Sequence, residues 1–366
     1  MSIDNNPLKK KKGIQMNNQI AGPLMISIDV TYKCNYRCLH CFNGSGENCL
    51  TNELTDNELQ KVFEEVSIIQ PTVVCFCGGE PTLRSQQVLK GCEVIQKNTN
   101  GYTTVNMVTN GSLVTPDLAQ EIKKAGFSVV QVSLDGARRE THEWLRNKTG
   151  SFDLAICAIK NLTNAGVKVG VAFTPTLKNI HEFSEVAALC SELGVSEFRI
   201  QPLMPLGRAL ENLSEYMPSY YDYSILSRQL QKMKYESLDE KTHFDWGDPV
   251  DHVIRFSNGK THINPLVGIN AYGDLYISPY IPITFGNIKK HSLCEYWNAG
   301  LSKAWTIQFV KELSEMIYDI PTLNLQSAGA SIPKVYYENS FDIDLIENSF
   351  DKIRELTLEE LIQMNK

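Results

Sequence analysis

The sequence has no apolar run approaching the roughly 20 residues that a membrane-spanning helix needs, and its N-terminus lacks the apolar core of a signal peptide. Both absences predict a cytoplasmic protein with no membrane association. An excess of positive charge is missing too. The net charge of −7 leaves no concentrated basic face for phosphate backbones and argues against nucleic-acid partners. There is no internal repeat and no low-complexity tract. The chain has ten cysteines, yet residues 298–366 contain none of them.

What is present is ordinary globular material: 366 residues, 42% hydrophobic and 21% charged, enough for one large domain or two moderate ones. Residues 1–22 are polar, include the run Lys9–Lys12, and are expected to form a flexible basic tail. A disulfide scaffold is unexpected in a chain this long with no export signal. In a reducing cytosol, clustered thiols are better read as metal ligands. The scattered cysteines fill space as small core residues.

Between about residues 23 and 204, β-like runs alternate with amphipathic helical stretches. The runs are Leu24–Val30, Thr72–Cys77, Thr103–Thr109, Ser128–Leu134, Val167–Thr174 and Glu197–Gln201. They are nearly continuous apolar segments, as expected of parallel strands covered on both faces. Thr55-x-x-Glu58 forms a capping box, Thr115-Pro116 opens a second helix, Ser151 a third, and Phe183–Leu193 carries a fourth apolar stripe. Six strand–helix units in succession imply right-handed crossovers. The α/β architecture is then a partial, open barrel or a doubly wound sheet. After Pro205 the pattern changes to a helix near 220–235, a turn-rich β segment over 243–290 with hairpin signals at Asn258-Gly259 and Tyr272-Gly273-Asp274, and a helical tail. Residues 205–366 are read as an accessory region over one end of the barrel.

Cys34, Cys38 and Cys41 stand in CxxxCxxC spacing directly after the first predicted strand. Three thiolates from one short loop can hold one face of a cubane cluster and leave the fourth iron open. Cys49 could instead complete a tetrahedral zinc site. Gly78-Gly79-Glu80-Pro81 follows the second predicted strand, at the same end of the fold. Adjacent glycines let backbone approach a ligand closely, and Glu80 offers an acceptor for an ammonium group.

This pair of motifs resembles the radical S-adenosylmethionine superfamily, over roughly residues 24–204. The resemblance implies a partial (β/α)6 TIM-like barrel. It implies one 4Fe–4S cluster on Cys34, Cys38 and Cys41, with S-adenosylmethionine chelating the open iron. His40 falls where the family places an aromatic near adenine. Gly78, Gly79, Glu80 and Pro81 match the motif that receives the methionyl amine. Asn110, Ser133 and Asp135 sit at strand tips that in the family contact the ribose and the carboxylate. Arg146 is a further cofactor-binding candidate, and Leu203 lies in the run expected to border adenine. The implied chemistry is reductive cleavage to a 5′-deoxyadenosyl radical, which takes a hydrogen atom from substrate.

The segment 269–297 is similar to the SPASM/twitch-like extension of peptide-modifying members, with Gly286-Asn287-Ile288 before Ser292-Leu293…Trp297. Ser278 stands where that extension carries a cysteine, and Cys294 alone cannot hold a cluster. The expectation is an α+β SPASM-like region without auxiliary clusters. Redox-neutral outcomes then gain, such as epimerisation, crosslinking or rearrangement. Cys294 and Cys77 become candidate hydrogen-atom donors, together with Cys75 on the face of Cys77.

The leading reading is therefore a maturase of a ribosomally made peptide, supplied with electrons by a flavodoxin or ferredoxin. The short stretch before the first strand calls for a separate leader-peptide-binding protein or for direct leader binding by the accessory region. One alternative is a small-molecule substrate: a sugar, nucleoside or amino-acid intermediate of natural-product biosynthesis. The other is a non-catalytic metal-binding interaction protein.

Overall fold

The computed structural model describes residues 22–46, 52–236, 242–257, 264–325 and 340–365. The run Lys9–Lys12, Cys49 and the Asn258-Gly259 turn lie outside these residues. Strands β1 (Met25–Asp29), β2 (Val73–Cys77), β3 (Thr104–Thr109), β4 (Val129–Ser133), β5 (Val169–Phe173) and β6 (Glu197–Ile200) pair in consecutive order, each parallel to the next. Of the two architectures that the strand–helix alternation allowed, this consecutive order is the partial barrel that the resemblance implies.

The two faces of the strands differ. Ile26, Ile28, Val74, Phe76, Val105, Val130, Val132, Val171 and Phe198 are fully buried on the outer face, under the helices. Ser27, Cys75, Cys77, Asn106, Gln131 and Ser133 point to the inner face and are only half-buried. The expectation of strands covered equally on both faces is thus corrected. An incomplete barrel keeps a polar lumen that solvent and ligands reach, whereas a closed barrel fills its interior with side chains.

The helices that cover the outer face follow their local signals. Helix α1 (Asp56–Ile69) has the Thr55–Glu58 capping box, with the Thr55 N–H donating to Glu58 Oε2 at 2.8 Å. After α2 (Ser85–Asn98) comes α3 (Pro116–Ala125), capped by the Thr115 hydroxyl and ended by Gly126 at φ 95°. Then follow α4 (Arg139–Arg146), α5 (Ser151–Asn164) and α6 (Phe183–Glu192). Phe76 is edge-packed between Phe63 (5.5 Å) and Phe127 (6.0 Å). Burying a phenylalanine this completely contributes about 2–3 kcal/mol.

The sheet continues past residue 204. Helices α7 (Arg208–Asn212) and α8 (Tyr220–Glu236) lead to β7 (His243–Trp246), which pairs parallel to β6. After α9 (Asp251–Ser257), β8 (Leu266–Ile269) pairs parallel to β1 on its far side, and β9 (Leu275–Tyr276) returns antiparallel. The result is a nine-stranded open sheet in the order β7-β6-β5-β4-β3-β2-β1-β8-β9. The segment 205–366 therefore extends the barrel wall at both edges. The Tyr272-Gly273-Asp274 turn joins β8 to β9, with Gly273 at φ 95°. Beyond it, β10 (Ile283–Thr284) pairs with β11 (Phe341–Asp342). Helix α10 (Leu293–Ala299) starts at a second capping box, Ser292–Glu295. Helices α11 (Gln308–Glu315), α12 (Leu345–Asn348), α13 (Phe350–Ile353) and α14 (Leu358–Met364) complete the fold. No helix of the described residues is long and apolar enough to cross a membrane.

Candidate active site

The cysteine loop and the glycine loop leave neighbouring strands and are bonded together. Gly79 N–H donates to Thr31 O at 2.7 Å, and Glu80 N–H to Lys33 O at 2.9 Å. A Cβ at Gly78 would collide with the carbonyl of Thr31, and one at Gly79 with the carbonyl of Lys33. Gly78 also sits at φ 115°, where L side chains are strained. The glycines are thus needed first for one loop to lie against the other.

Three further contacts fix the cysteine loop. Within it, Arg37 Nη1 donates to Cys34 O at 2.8 Å and to Tyr36 O at 2.9 Å. Leu39 N–H donates to Leu145 O of α4 at 2.9 Å. From α7, Arg208 reaches Cys38 O at 2.9 Å and the carbonyls of Gly44 and Ser45.

The loop forms one wall of a cavity of about 350 Å³ that opens into the barrel lumen. Cys34, Cys38 and Cys41 line it, as do His40, Cys77, Gly78, Gly79, Asn110, Ser133 and Arg146. Tyr36 N–H points at Cys34 Sγ (3.5 Å), the Cys41 thiol donates to Asn43 Oδ1 (3.0 Å), and Arg146 Nη1 faces Cys38 Sγ (3.8 Å). Burial pushes the Cys38 thiol up to about 12, although Arg146 opposes the shift. Among the described residues, no group of three His, Cys, Asp or Glu side chains is arranged to hold a metal ion, and Cys49, the fourth thiol of the zinc alternative, lies outside them. Three thiols spaced along one cavity wall suit a cluster whose thiolates bind different iron atoms.

Behind the thiols lies a buried charge group. Arg146 Nε stands 2.6 Å from Asp135 Oδ2, and His40 Nε2 lies 3.7 Å from the same oxygen. The Arg146–Asp135 contact is close, but the N–H is poorly aligned, since neither atom has a well-formed hydrogen bond. It acts as an ion pair. Burial alone would raise the Asp135 carboxyl, but Arg146, His40 and His142 outweigh it and hold it below the usual range. Burial and the Arg146 cation push His40 down to about 4, so the ring facing the cavity is neutral.

Six expected site residues do not line the cavity, among them Cys75, which lies beside Cys77 on β2. Glu80 is fully buried, and its carboxylate accepts from Thr82 N–H (3.0 Å), Thr109 Oγ1 (2.7 Å) and Asn110 N–H (2.7 Å), with Thr82 Oγ1 at 2.5 Å. It ties the glycine loop to the tip of β3 rather than offering a free acceptor to a ligand. Pro81 begins the short 3-10 turn behind it. Asp135 is buried and pairs with Arg146. Leu203 packs with Leu145, Ala209 and Leu213, while its neighbours Gln201, Pro202 and Met204 face the cavity. Cys294 lies in the helical layer, where its N–H donates to Glu65 Oε1 at 3.3 Å, and it is not placed to donate a hydrogen atom in the cavity.

The cavity also has walls that the sequence did not announce. Asp29 and Gln131 come from β1 and β4, Arg208 from α7, and Tyr276 and Tyr280 from the accessory region. A Cβ at Gly268 would strike the Tyr276 ring, so Gly268 leaves room for that ring across the β8–β9 pair. Ser278 is fully buried, and its hydroxyl lies 2.9 Å from His252 Nε2. The only local signal for this wall was Ser278 at an expected cysteine position.

Comparison with known proteins accords with this geometry. Residues 28–190 match the profile of the Radical SAM superfamily. An AdoMet-dependent heme synthase of Methanosarcina barkeri is 26% identical over 299 residues, 75% of this chain and 82% of that protein. Mycofactocin maturase MftC of Mycolicibacterium smegmatis is 32% identical over 206 residues, 56% of this chain and 51% of its own length. The chain thus spans about half the length of the mycofactocin maturases it matches. Among solved structures, Streptococcus suis SuiB bound to S-adenosylmethionine aligns with a TM-score of 0.63 at 15% identity, over 76% of this chain and 66% of that one. The protein anSMEcpe, with bound AdoMet and Kp18Cys peptide, aligns with a TM-score of 0.62 at 17% identity, over 93% and 99%. At these identities the likeness speaks for the fold. Residues 28–190 thus carry a Radical SAM domain, and two of the solved structures with the same fold hold bound S-adenosylmethionine.

Proposed function

We propose, from the radical SAM domain that this chain carries, that it cleaves S-adenosylmethionine reductively and directs the resulting radical at a ribosomally synthesised peptide. The observation that carries this reading is one cavity lined by Cys34, Cys38, Cys41, Gly78 and Gly79. The three thiols would hold the cluster, which supplies the electron that splits the sulfonium. Gly78 and Gly79 line the cavity and would face the methionyl end, with Asn110, Ser133 and Arg146 as the polar groups for carboxylate and ribose. His40, neutral and at the cavity wall, offers a flat face for adenine. Cys77 stands in the same cavity as the hydrogen-atom donor. Tyr276 and Tyr280 narrow the lumen and exclude water that would quench a radical.

A peptide substrate is favoured by the likeness to mycofactocin maturase over the barrel. Such an enzyme would work in the cytoplasm with a flavodoxin or ferredoxin as electron donor and a separate leader-binding protein. A second reading, a small-molecule substrate, is favoured by the longer match to a heme synthase.

The test is anaerobic reconstitution. The wild type is expected to bind four irons and to release 5′-deoxyadenosine under reduction, and the Cys34→Ala, Cys38→Ala, Cys41→Ala triple variant to do neither. Incubation with peptides encoded beside the gene, read by mass, separates the two substrate classes. A wild type that binds no cluster sinks the whole proposal.

A further inference from the structure

The cysteine loop is gripped by a residue that lies outside the matched domain. Arg208 is 7% exposed and sits at the start of α7, eight residues past the end of β6. Its Nε donates to Cys38 O at 2.9 Å, and its Nη1 to Gly44 O at 2.9 Å and Ser45 O at 3.1 Å. Its backbone N–H donates to Cys41 O at 3.0 Å. The preceding Gly207, at φ 53°, lies so close that a Cβ would collide with the carbonyls of Cys41 and Phe42. Asn212 Nδ2 returns a bond to Arg208 O at 2.8 Å and steadies the short helix. Four donor contacts from one residue therefore meet a loop whose own side chains are committed to thiol chemistry. Two of them fall on the carbonyls of thiol-bearing residues.

We propose that Arg208 is a positioning residue for the iron–sulfur cluster, which clamps the loop that would carry it and raises its reduction potential by fixing a cation in the wall of the same cavity. The inference rests on the cluster reading above. A planar fork of donors on a stiff guanidinium suits three divergent carbonyls, which a lysine ammonium cannot meet together. The clamp lowers the freedom of the loop before iron arrives, and such outer contacts tune both affinity and potential at metal centres. Added electrons on the cluster are stabilised by a nearby cation, and more so where solvent is excluded. Through α7 the chain beyond residue 204 thus has a direct grip on the cysteine loop.

Two substitutions separate clamp from charge in the full-length, reconstituted protein. Arg208→Lys keeps the charge and loses the fork, and Arg208→Gln loses both. Both variants are expected to release iron to a chelator about 10- to 100-fold faster than wild type. The midpoint potential, followed by the electron paramagnetic resonance signal of the reduced cluster, should fall in Arg208→Gln and stay near wild type in Arg208→Lys. Should Arg208→Gln fail to fold, the iron-release rate and spectrum of Arg208→Lys decide the matter. A lowered melting temperature with iron release, potential and spectrum unchanged would overturn the proposal and leave a merely structural arginine. A wild type that binds no cluster would instead overturn the underlying cluster reading.

Discussion

Cys77 stands one residue before the paired glycines, with its sulfur 3.4 Å from that of Cys75 on the same face of β2. The hydrogen bond with Cys75 and burial together push the Cys77 thiol well up, so it keeps the S–H form that can give a hydrogen atom. Thiol protons exchange with solvent. In deuterated water, reductive cleavage without substrate should yield 5′-deoxyadenosine carrying one deuterium, and Cys77→Ala should abolish that label. Equal labelling in both proteins, read by mass, would remove Cys77 from the mechanism. At this scale the sequence was legible where chemistry is written in contiguous residues: the three thiols, His40, Gly78 and Gly79 all reach the cavity. It was silent where side-chain direction depends on distant partners. Glu80 is taken up by Thr82, Thr109 and Asn110, Leu203 turns into a satellite core, and Arg208, Tyr276 and Tyr280 arrive from far along the chain.

Local signals decide some elements and not others. The capping boxes at Thr55–Glu58 and Ser292–Glu295 are complete within four residues, and both helices begin where they say. Helix α4 has no side-chain cap at Arg138 and only eight residues, so nothing local marks it, yet it delivers Arg146 to the site. Helix α9 is similarly short, but it sets His252 against Ser278. Burial pushes His252 from 6.5 down to about 4, with Asp251 opposing and Arg255 assisting the shift. The unfolded chain therefore takes up this proton first. Stability falls as pH drops from 6.5 to 4 and is unaffected above that window, with a full cost of about 3 kcal/mol. Urea unfolding of the apoprotein at several pH values should show that acid sensitivity shrinking in His252→Gln. An unchanged slope would mean that His252 is solvated.

Across the whole molecule, the barrel of six strand–helix units was readable because each unit repeats one local alternation. The β segment over 243–290 and its Tyr272-Gly273-Asp274 turn were readable too. That β7 and β8 join the barrel at its two edges was not, since strands of four residues carry no period that fixes their partner. Their placement changes the standing of β1. In the six-strand reading β1 forms an edge; in the structure it has β2 on one side and β8 on the other. Edge strands fray through small local openings, while a strand bonded on both flanks exposes its amides only when the whole domain opens. Hydrogen–deuterium exchange should therefore find the amides of Ile26 to Asp29 among the slowest in the chain, with the edge strand β7 exchanging first. Comparable rates in β1 and β7 would contradict this order. The root of the cysteine loop would then be among the last parts of the molecule to melt, so heat or denaturant would strip the periphery before it loosened the loop's anchor.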